Sequence, residues 1–169
     1  MSAVVWTPGT VVPAPLDLYT CKVEQDWVDY NDHMTEAAYL TAMGWGSDAL
    51  FTYIGDNDEY RAAGNSFYTV ETHIVYEDEA FLDQPLHCTT LVLDIDAKRM
   101  HIYHELFNSE TGKRLSNCEQ MLVHVDTNTG KSSPMGSEMM TKLKPIGDAH
   151  TKLPQPVGIG RRVGEKPAK

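Results

Sequence analysis

Asp29, Asn31 and His33 fall within five residues, directly ahead of a segment that patterns as a long helix from Thr35. A carboxylate there can activate water as a general base or attack an acyl carbon as a nucleophile. An amide side chain can orient the water or a carbonyl. An imidazole can hydrogen-bond to a substrate or hold the carboxylate. The helix terminus contributes free backbone N–H groups and the positive end of its dipole, which together stabilise a developing oxyanion. The same residue types before a helix also serve as ordinary turn and cap residues, and spacing alone leaves both readings open. Asp32 reads as a solvated turn residue that can share the task of Asp29.

Aromatic residues crowd the same stretch: Trp27, Tyr30, Tyr39 and Trp45, with Phe67 and Tyr68 further on. They can be core, or some of them can touch a ligand. Trp45, flanked by Gly44 and Gly46, is the strongest candidate of the set for ligand contact. His101 and His104 fall on opposite faces of one strand pattern, and His73, His87 and His124 belong to other strands, so no metal site is expected. No Gly-x-Ser-x-Gly elbow occurs in the sequence.

The elements that must position these residues follow from hydrophobic period. Residues 18–28 read as a first strand. Between Thr35 and Ile54, two apolar series recur near 3.6 residues: Tyr39, Met43, Leu50, Ile54, and Ala38, Ala42, Trp45, Ala49. Two apolar faces predict a helix largely surrounded by protein. Thr35 is placed as its N-cap and Gly55 as its stop. Gly44 and Gly46 cost ~1 kcal/mol each in helix propensity, and serve either close strand packing or room for a ligand. A short helical turn over 57–63 precedes four alternating segments, 66–77, 86–95, 100–108 and 115–125. Shared faces are read for Tyr68, Val70, Thr72, Ile74 and Tyr76; for Leu91, Leu93 and Ile95; for Met100, Ile102, His104 and Leu106; and for Leu115, Met121, Val123 and Val125. The links at 96–98 and 109–112 fit hairpins, and a last short helix is expected over 136–143. One long helix wrapped by a mostly antiparallel sheet of five or six strands makes the class α+β.

With 169 residues, 41% of them hydrophobic, the chain supports one domain. The expected organisation is an extended arm over 1–15, the folded domain over 16–144, and a basic Pro/Gly-rich tail over 145–169 that orders against a partner subunit. The net charge is -10; from Lys144 onward six Lys/Arg meet two acids, so the body carries -14. Such a body repels nucleic acid and anionic membrane. It serves solubility, or it favours a cationic small molecule. No stretch approaches the ~20 apolar residues of a membrane span, and the N-terminus lacks the pattern of a secretory signal. Cys21, Cys88 and Cys118 suggest neither a disulfide framework nor a metal cluster. These features point to a cytoplasmic protein.

The run Asp29-Tyr30-Asn31-Asp32-His33-Met34, followed by Tyr39, resembles the D-x-N-x-H-(V/M)…Y signature of hotdog-fold thioesterases, including the 4-hydroxybenzoyl-CoA type and plant acyl-carrier-protein thioesterases. The likeness spans about 18–125. It implies a hotdog fold and thioester hydrolysis, with Asp29 as catalytic carboxylate and Asn31 and His33 assisting. Many relatives have Gly before the His and Asn after the hydrophobic residue, where this chain has Asp32 and Thr35. Some place a helix Glu near the site, where this chain has Gly44 and, further on, Asp48. The runs 26–40, 60–64, 68–73 and 119–126 are similar to betainyl-CoA thioesterases of carnitine breakdown. That resemblance implies hydrolysis of betainyl-CoA to glycine betaine and CoA, with no cofactor beyond the CoA of the substrate, in a homodimer or homotetramer. A trimethylammonium head is best held by aromatic faces, for which Trp27, Tyr30, Tyr39, Trp45 and Tyr68 are the candidates. Polyanionic CoA needs cations, for which Lys98 and Arg99 are the first candidates, with Lys113-Arg114 and Arg161-Arg162 behind them. The alternatives are a thioesterase for another short acyl-CoA, another hotdog enzyme such as a hydratase, and a non-catalytic acyl-CoA- or betaine-binding hotdog protein.

Overall fold

The expected long helix, α1, spans Glu36–Ile54 and stops at Gly55, whose φ of 85° closes it in the left-handed region that glycine adopts without strain. The computed structural model describes residues 5–165; the first four residues of the expected arm and the last four of the tail, Pro167 included, lie outside it. Ahead of α1 runs β1 (Leu16–Lys22), and after it come α2 (Asp58–Ala62), β2 (Asn65–Tyr76), β3 (Pro85–Ile95), β4 (Arg99–Asn108), β5 (Arg114–Asp126), the two-residue β6 (Lys131–Ser132) and α3 (Ser137–His150). The sheet order is β1-β3-β4-β5-β2, with β6 on β5, and every pairing is antiparallel. Among the described residues no helix is long and apolar enough to cross a membrane.

The sheet curls around α1. Towards the helix N-terminus, Ala38, Tyr39, Ala42 and Met43 pack on Leu86, Cys88, Leu106, Leu115 and Cys118. Towards its C-terminus, Leu50, Tyr53 and Ile54 pack on Val92, Met100, Ile102 and Leu122, with Met139, Leu143 and Ile146 of α3 closing that end. Gly46 permits the approach: a Cβ there would lie 2.8 Å from Cys88 Sγ. Gly44 packs against no neighbour, since a Cβ there would meet nothing within 4 Å. The helix is less enclosed than its two apolar series suggest, because Leu40, Thr41, Trp45 and Asp48 form an exposed stripe.

Between the two apolar ends lies a polar layer. Buried His104 is 2.8 Å from Ser47 Oγ through Nε2 and 2.9 Å from Thr90 Oγ1 through Nδ1, and the Ser47 hydroxyl also donates to Gln120 Oε1 at 3.2 Å. This layer explains why the apolar set read along β5 is not the side that faces the core along its middle. In β5 the side towards the core carries Ser116, Cys118, Gln120, Leu122 and His124, while Met121 and Val123 turn to the other side. The polar members are satisfied internally: Ser116 donates to the Val75 carbonyl, and His124 meets Tyr60 Oη and the Ser133 carbonyl. Hydropathy misreads the parity because hydrogen bonds make these polar side chains acceptable in the interior.

Other differences have local causes. The first strand ends at Lys22, because Glu24, Gln25 and Asp26 lead into a single 3-10 turn, Gln25–Trp27. β2 has a bulge between Thr69 and Glu71, and as an edge strand it leaves Tyr68, Val70 and Tyr76 exposed. The last helix runs beyond 143, through Pro145 to His150, so the irregular tail begins after that residue. Tertiary packing outweighs the proline: Leu143 and Ile146 are buried, His150 Nδ1 accepts from the Val92 N–H at 2.8 Å, and its Nε2 donates to the Pro13 carbonyl at 3.0 Å.

Burial pushes His104 down from 6.5 to about 4, so the fold holds it neutral while the unfolded chain gains a proton below 6.5. Its contribution to stability is therefore lost as pH falls from about 6.5 and levels off below about 4. Urea unfolding across that window is expected to show His104→Gln, though less stable at neutral pH, with an acid dependence shallower by about one proton. An unchanged slope in the variant rejects this linkage.

Candidate active site

The chain leaving the 3-10 turn reverses over 28–34 in a loop fixed by backbone pairing. Val28 bridges Met34 and His33 bridges Phe81. The Met34 N–H donates to the Ala80 carbonyl at 2.8 Å, and the Thr35 N–H to the Trp27 carbonyl at 2.8 Å. The reversal is closed by Asp32, whose φ of 62° lies in the left-handed region, the position where many relatives of the resemblance carry Gly.

Inside this loop the Asp29 carboxylate accepts from the Asn31 N–H at 2.8 Å, and more weakly from the His33 N–H and Asn31 Nδ2, each at 3.4 Å. The Asn31 amide holds the Asp29 carboxyl below its ordinary value, helped by the His33 backbone and side chain and opposed by partial desolvation. The carboxylate is therefore ionised at neutral pH. His33 lies with Nδ1 3.6 Å from Glu79 Oε1 and its ring edge-on to Phe81, centroids 5.0 Å apart.

Directly after the loop, Thr35 occupies the N-cap position but its side chain makes no cap hydrogen bond. The N–H groups of Glu36 and Ala37 find no acceptor among the described residues. An uncapped helix start is an electropositive donor pair without a resident partner.

Asp29, His33, Met34, Thr35, Glu36 and Tyr39 line one open cleft of about 750 Å³, and the far wall is Tyr76, Glu77, Asp78 and Glu79. Tyr39 Oη donates to the Asp78 carbonyl at 3.0 Å, Tyr76 Oη to the Glu36 carbonyl at 3.2 Å, and the two rings meet edge-on at 5.5 Å. Lys113 pairs with Asp78, and Arg114 with Glu77 and Glu105. The cleft thus joins an ionised carboxylate, an imidazole and free helix N–H groups.

Of the residues singled out from sequence, the structure brings together Asp29, His33 and Tyr39, with Asn31 behind Asp29. It does not bring the rest there. Tyr30 is 94% exposed, Trp27 packs on the core, and Tyr68 lies on the outer edge strand. Trp45 lines a different hollow, with Gly44, Asp48, Phe51 and Phe67. Lys98 and Arg99 lie at the β3–β4 hairpin, the opposite end of β3 from the loop that abuts Ala80, and Arg99 is tied to Asp96 at 2.6 Å. Sequence reasoning missed Tyr76 and the wall 77–79. Their signal was an acidic run at the end of a strand, which normally reads as a solvated turn.

Similarity to known proteins agrees with this picture. Residues 23–143 match the model of the Thioesterase-like superfamily. An L-carnitine dehydrogenase/betainyl-CoA thioesterase of Rhizobium meliloti is 48% identical over 90% of this chain and 31% of its own length. The chain thus spans about a third of such two-function relatives. A betainyl-CoA thioesterase of Pseudomonas aeruginosa is 36% identical over 91% of this chain and 98% of its own. Among solved structures, a provisionally named thioesterase of Pseudomonas putida KT2440 superposes with a TM-score of 0.78 at 32% identity, covering 92% of this chain and 99% of the other. A Staphylococcus aureus protein crystallised with CoA shares the fold at 20% identity and a TM-score of 0.78, over 93% of this chain and 100% of the other. The architecture is the α+β hotdog fold.

The loop geometry makes its own prediction. Asp32→Gly should leave thermal stability equal or raised by a few tenths of a kcal/mol, while Asp32→Val should cost ~1–2 kcal/mol through its β-branched side chain at positive φ. Thermal unfolding of the two variants checks it, and a stable Asp32→Val would contradict the strained turn.

Proposed function

Because the chain belongs to the thioesterase-like superfamily, we propose that it hydrolyses an acyl-CoA thioester, betainyl-CoA, releasing glycine betaine and CoA in a step of carnitine breakdown. The observation that carries the proposal is the pairing of ionised Asp29 with the uncapped start of α1 in one cleft. The carbonyl oxygen of the thioester docks at the Glu36 and Ala37 N–H groups. Asp29 removes a proton from water as its oxygen attacks the carbonyl carbon, or attacks that carbon itself to form an anhydride that water then opens. Negative charge gathers on the carbonyl oxygen, where the helix tip stabilises it. The C–S bond breaks and CoA leaves as a thiolate. His33, backed by Glu79 and Phe81, hydrogen-bonds substrate or water, and Asn31 keeps Asp29 in position.

The betainyl assignment is supported by the 48% and 36% identical relatives. The Pseudomonas aeruginosa protein, matched over nearly its whole length, bears the thioesterase name alone. Three free thiols suit a reducing cytoplasm.

We further propose that the working form is at least a homodimer joined along β2. That strand presents an unpaired edge bearing Tyr68 and Val70, and an open apolar edge is a template for another strand. In such a pairing the Lys98–Arg99 hairpin reaches a cleft only from the second copy. It lies in the row Tyr68–Val123–Arg99 across β2, β5 and β4, at the far end of β2 from the cleft.

The test is thiol release from betainyl-CoA beside acetyl- and butyryl-CoA. Asp29→Asn is expected to lower kcat by roughly 10²–10⁴-fold, with circular dichroism unchanged and betainyl-CoA the preferred substrate of the parent protein. A near-parental rate in Asp29→Asn rejects the assignment of that carboxylate. Binding without thiol release by the parent protein favours the non-catalytic alternative.

A further inference from the structure

The hollow containing Trp45 lies between α1 and the edge strand, and its composition is unusual for a contact surface. It measures about 400 Å³ and is lined by Thr41, Gly44, Trp45, Ser47, Asp48 and Phe51 of α1, with Phe67 and Thr69 of β2 and Gln120 of β5. Phe51 and Phe67 are stacked, centroids 5.5 Å apart with 10° between the rings. Trp45 stands over the hollow 51% exposed, and Gly44 beside it leaves open space.

Three polar side chains of this lining are already spent. The Thr41 hydroxyl donates to the Ala37 carbonyl at 3.0 Å, Ser47 is bound to His104 and Gln120, and Gln120 Nε2 donates to Thr72 at 3.4 Å. Asp48 is different. Among the described residues it makes no hydrogen bond or ion pair, and Arg61, the cation that acts on it at longer range, is tied to Asp56 at 3.3 Å. Partial desolvation raises the Asp48 carboxyl, on an otherwise exposed side chain, above its ordinary value, and a cation docked beside it would offset that cost. Aromatic faces beside an unpartnered carboxylate suit a positive ligand that cannot itself donate a hydrogen bond, which is the chemistry of a quaternary ammonium.

Distance decides which cleft the hollow can serve. Trp45 is ten residues beyond Thr35 on one helix, ~15 Å along its axis. In a betainyl thioester the nitrogen is two bonds from the carbonyl carbon, a reach of ~2.5 Å. A carbonyl docked at the helix tip therefore cannot place its ammonium in the hollow of the same chain. A second copy can supply it. The Tyr76 end of β2 touches the helix tip through Glu36, whereas the Phe67 end lines the hollow. Antiparallel pairing of β2 with itself about its middle, near Val70, sets the Tyr76 end of one chain against the Phe67 end of the other. Each cleft then faces the other chain's hollow.

We infer that the Trp45–Asp48–Phe51–Phe67 hollow is the receptor for the quaternary ammonium of the acyl group, and that it serves the cleft of a second copy. This inference rests on the hydrolytic reading above for its substrate, and it names the residues that select it.

The experiment compares betainyl-CoA with 3,3-dimethylbutyryl-CoA, in which carbon replaces the charged nitrogen, and in parallel measures calorimetric binding of glycine betaine against 3,3-dimethylbutyrate. The parent protein is expected to prefer the charged member of each pair. Asp48→Asn and Trp45→Leu should each cut the charged-to-neutral kcat/KM ratio on the order of tenfold, with the oligomer size from light scattering unchanged. Trp45→Phe should retain most of the preference. Ratios unchanged in both variants overturn the inference, as does an equal loss for charged and neutral substrates, which marks the hollow as mere interface packing. If the parent protein cleaves neither thioester, the hydrolytic reading fails alone, and betaine binding that Asp48→Asn weakens still upholds the receptor. A monomer with full charge preference overturns the assignment to a second copy. Mixing Asp29→Asn with Asp48→Asn subunits should restore a fraction of sites with parental preference, and no restoration also overturns it.

Discussion

The first turn of α1 has donors but no cap, and much of the architecture can be understood as keeping it that way. A helix start usually takes a Ser, Thr, Asp or Asn oxygen onto its free N–H groups. Thr35 has such an oxygen and makes no cap bond with it. The Asp29 carboxylate is equally committed elsewhere, to the N–H groups of Asn31 and His33. Backbone bonds from Met34 to Ala80 and from Thr35 to Trp27 pin the approach to the helix, so the loop cannot slide forward to cap it. The energy lost at the tip, ~1 kcal/mol for a missing cap, is offset by the packing of Ala38, Tyr39, Ala42 and Met43 against the sheet immediately behind.

That packing also explains the two glycines inside the helix. Gly46 lets α1 rest on Cys88, and the contact fixes the height of the helix above β3. Gly44, two residues earlier, faces open space next to Trp45. Helix propensity counts both glycines as costs, and only the positions of the neighbouring strands separate one role from the other. The polar layer of Ser47, His104, Thr90 and Gln120 adds direction: each hydrogen bond is satisfied only when helix and strands are in one register, whereas the apolar contacts on either side tolerate sliding.

How much of this was legible in the sequence follows from which signals are local. α1 was readable to within a residue because its period, its N-cap position and its Gly55 stop agree. The strands β2 to β5 were readable because alternation and short hairpin links coincide. The inward face of β5 was not, since the strand buries Ser116, Gln120 and His124, and their acceptability depends on partners in β2, α1 and the loop at Ser133. The run past Pro145 was hidden for a similar reason, His150 being anchored by Val92 and by Pro13, 137 residues earlier in the chain. Within the site, the grouping of Asp29, Asn31 and His33 was visible as spacing. The wall opposite them, from Tyr76 to Glu79, is brought there by the turn between β2 and β3, which no spacing within the loop reports.

Part of the body's negative charge gathers at that wall. Five carboxylates line the cleft, Asp29, Glu36, Glu77, Asp78 and Glu79, and Lys113 and Arg114 neutralise only Glu77 and Asp78 directly. A cleft with surplus negative charge is a poor host for the phosphates of CoA and a good one for a cationic acyl head. On the proposed reading the two ends of the substrate part company, the ammonium passing the acidic wall towards the hollow of the second copy and the phosphates staying outside the cleft. Hydroxide or carboxylate attack on the carbonyl is also easier when a fixed positive charge lies two bonds away, because that charge withdraws electrons and steadies the developing oxyanion. On the proposed reading, the acidity that serves solubility along the chain also favours, around α1, a substrate with a cationic end.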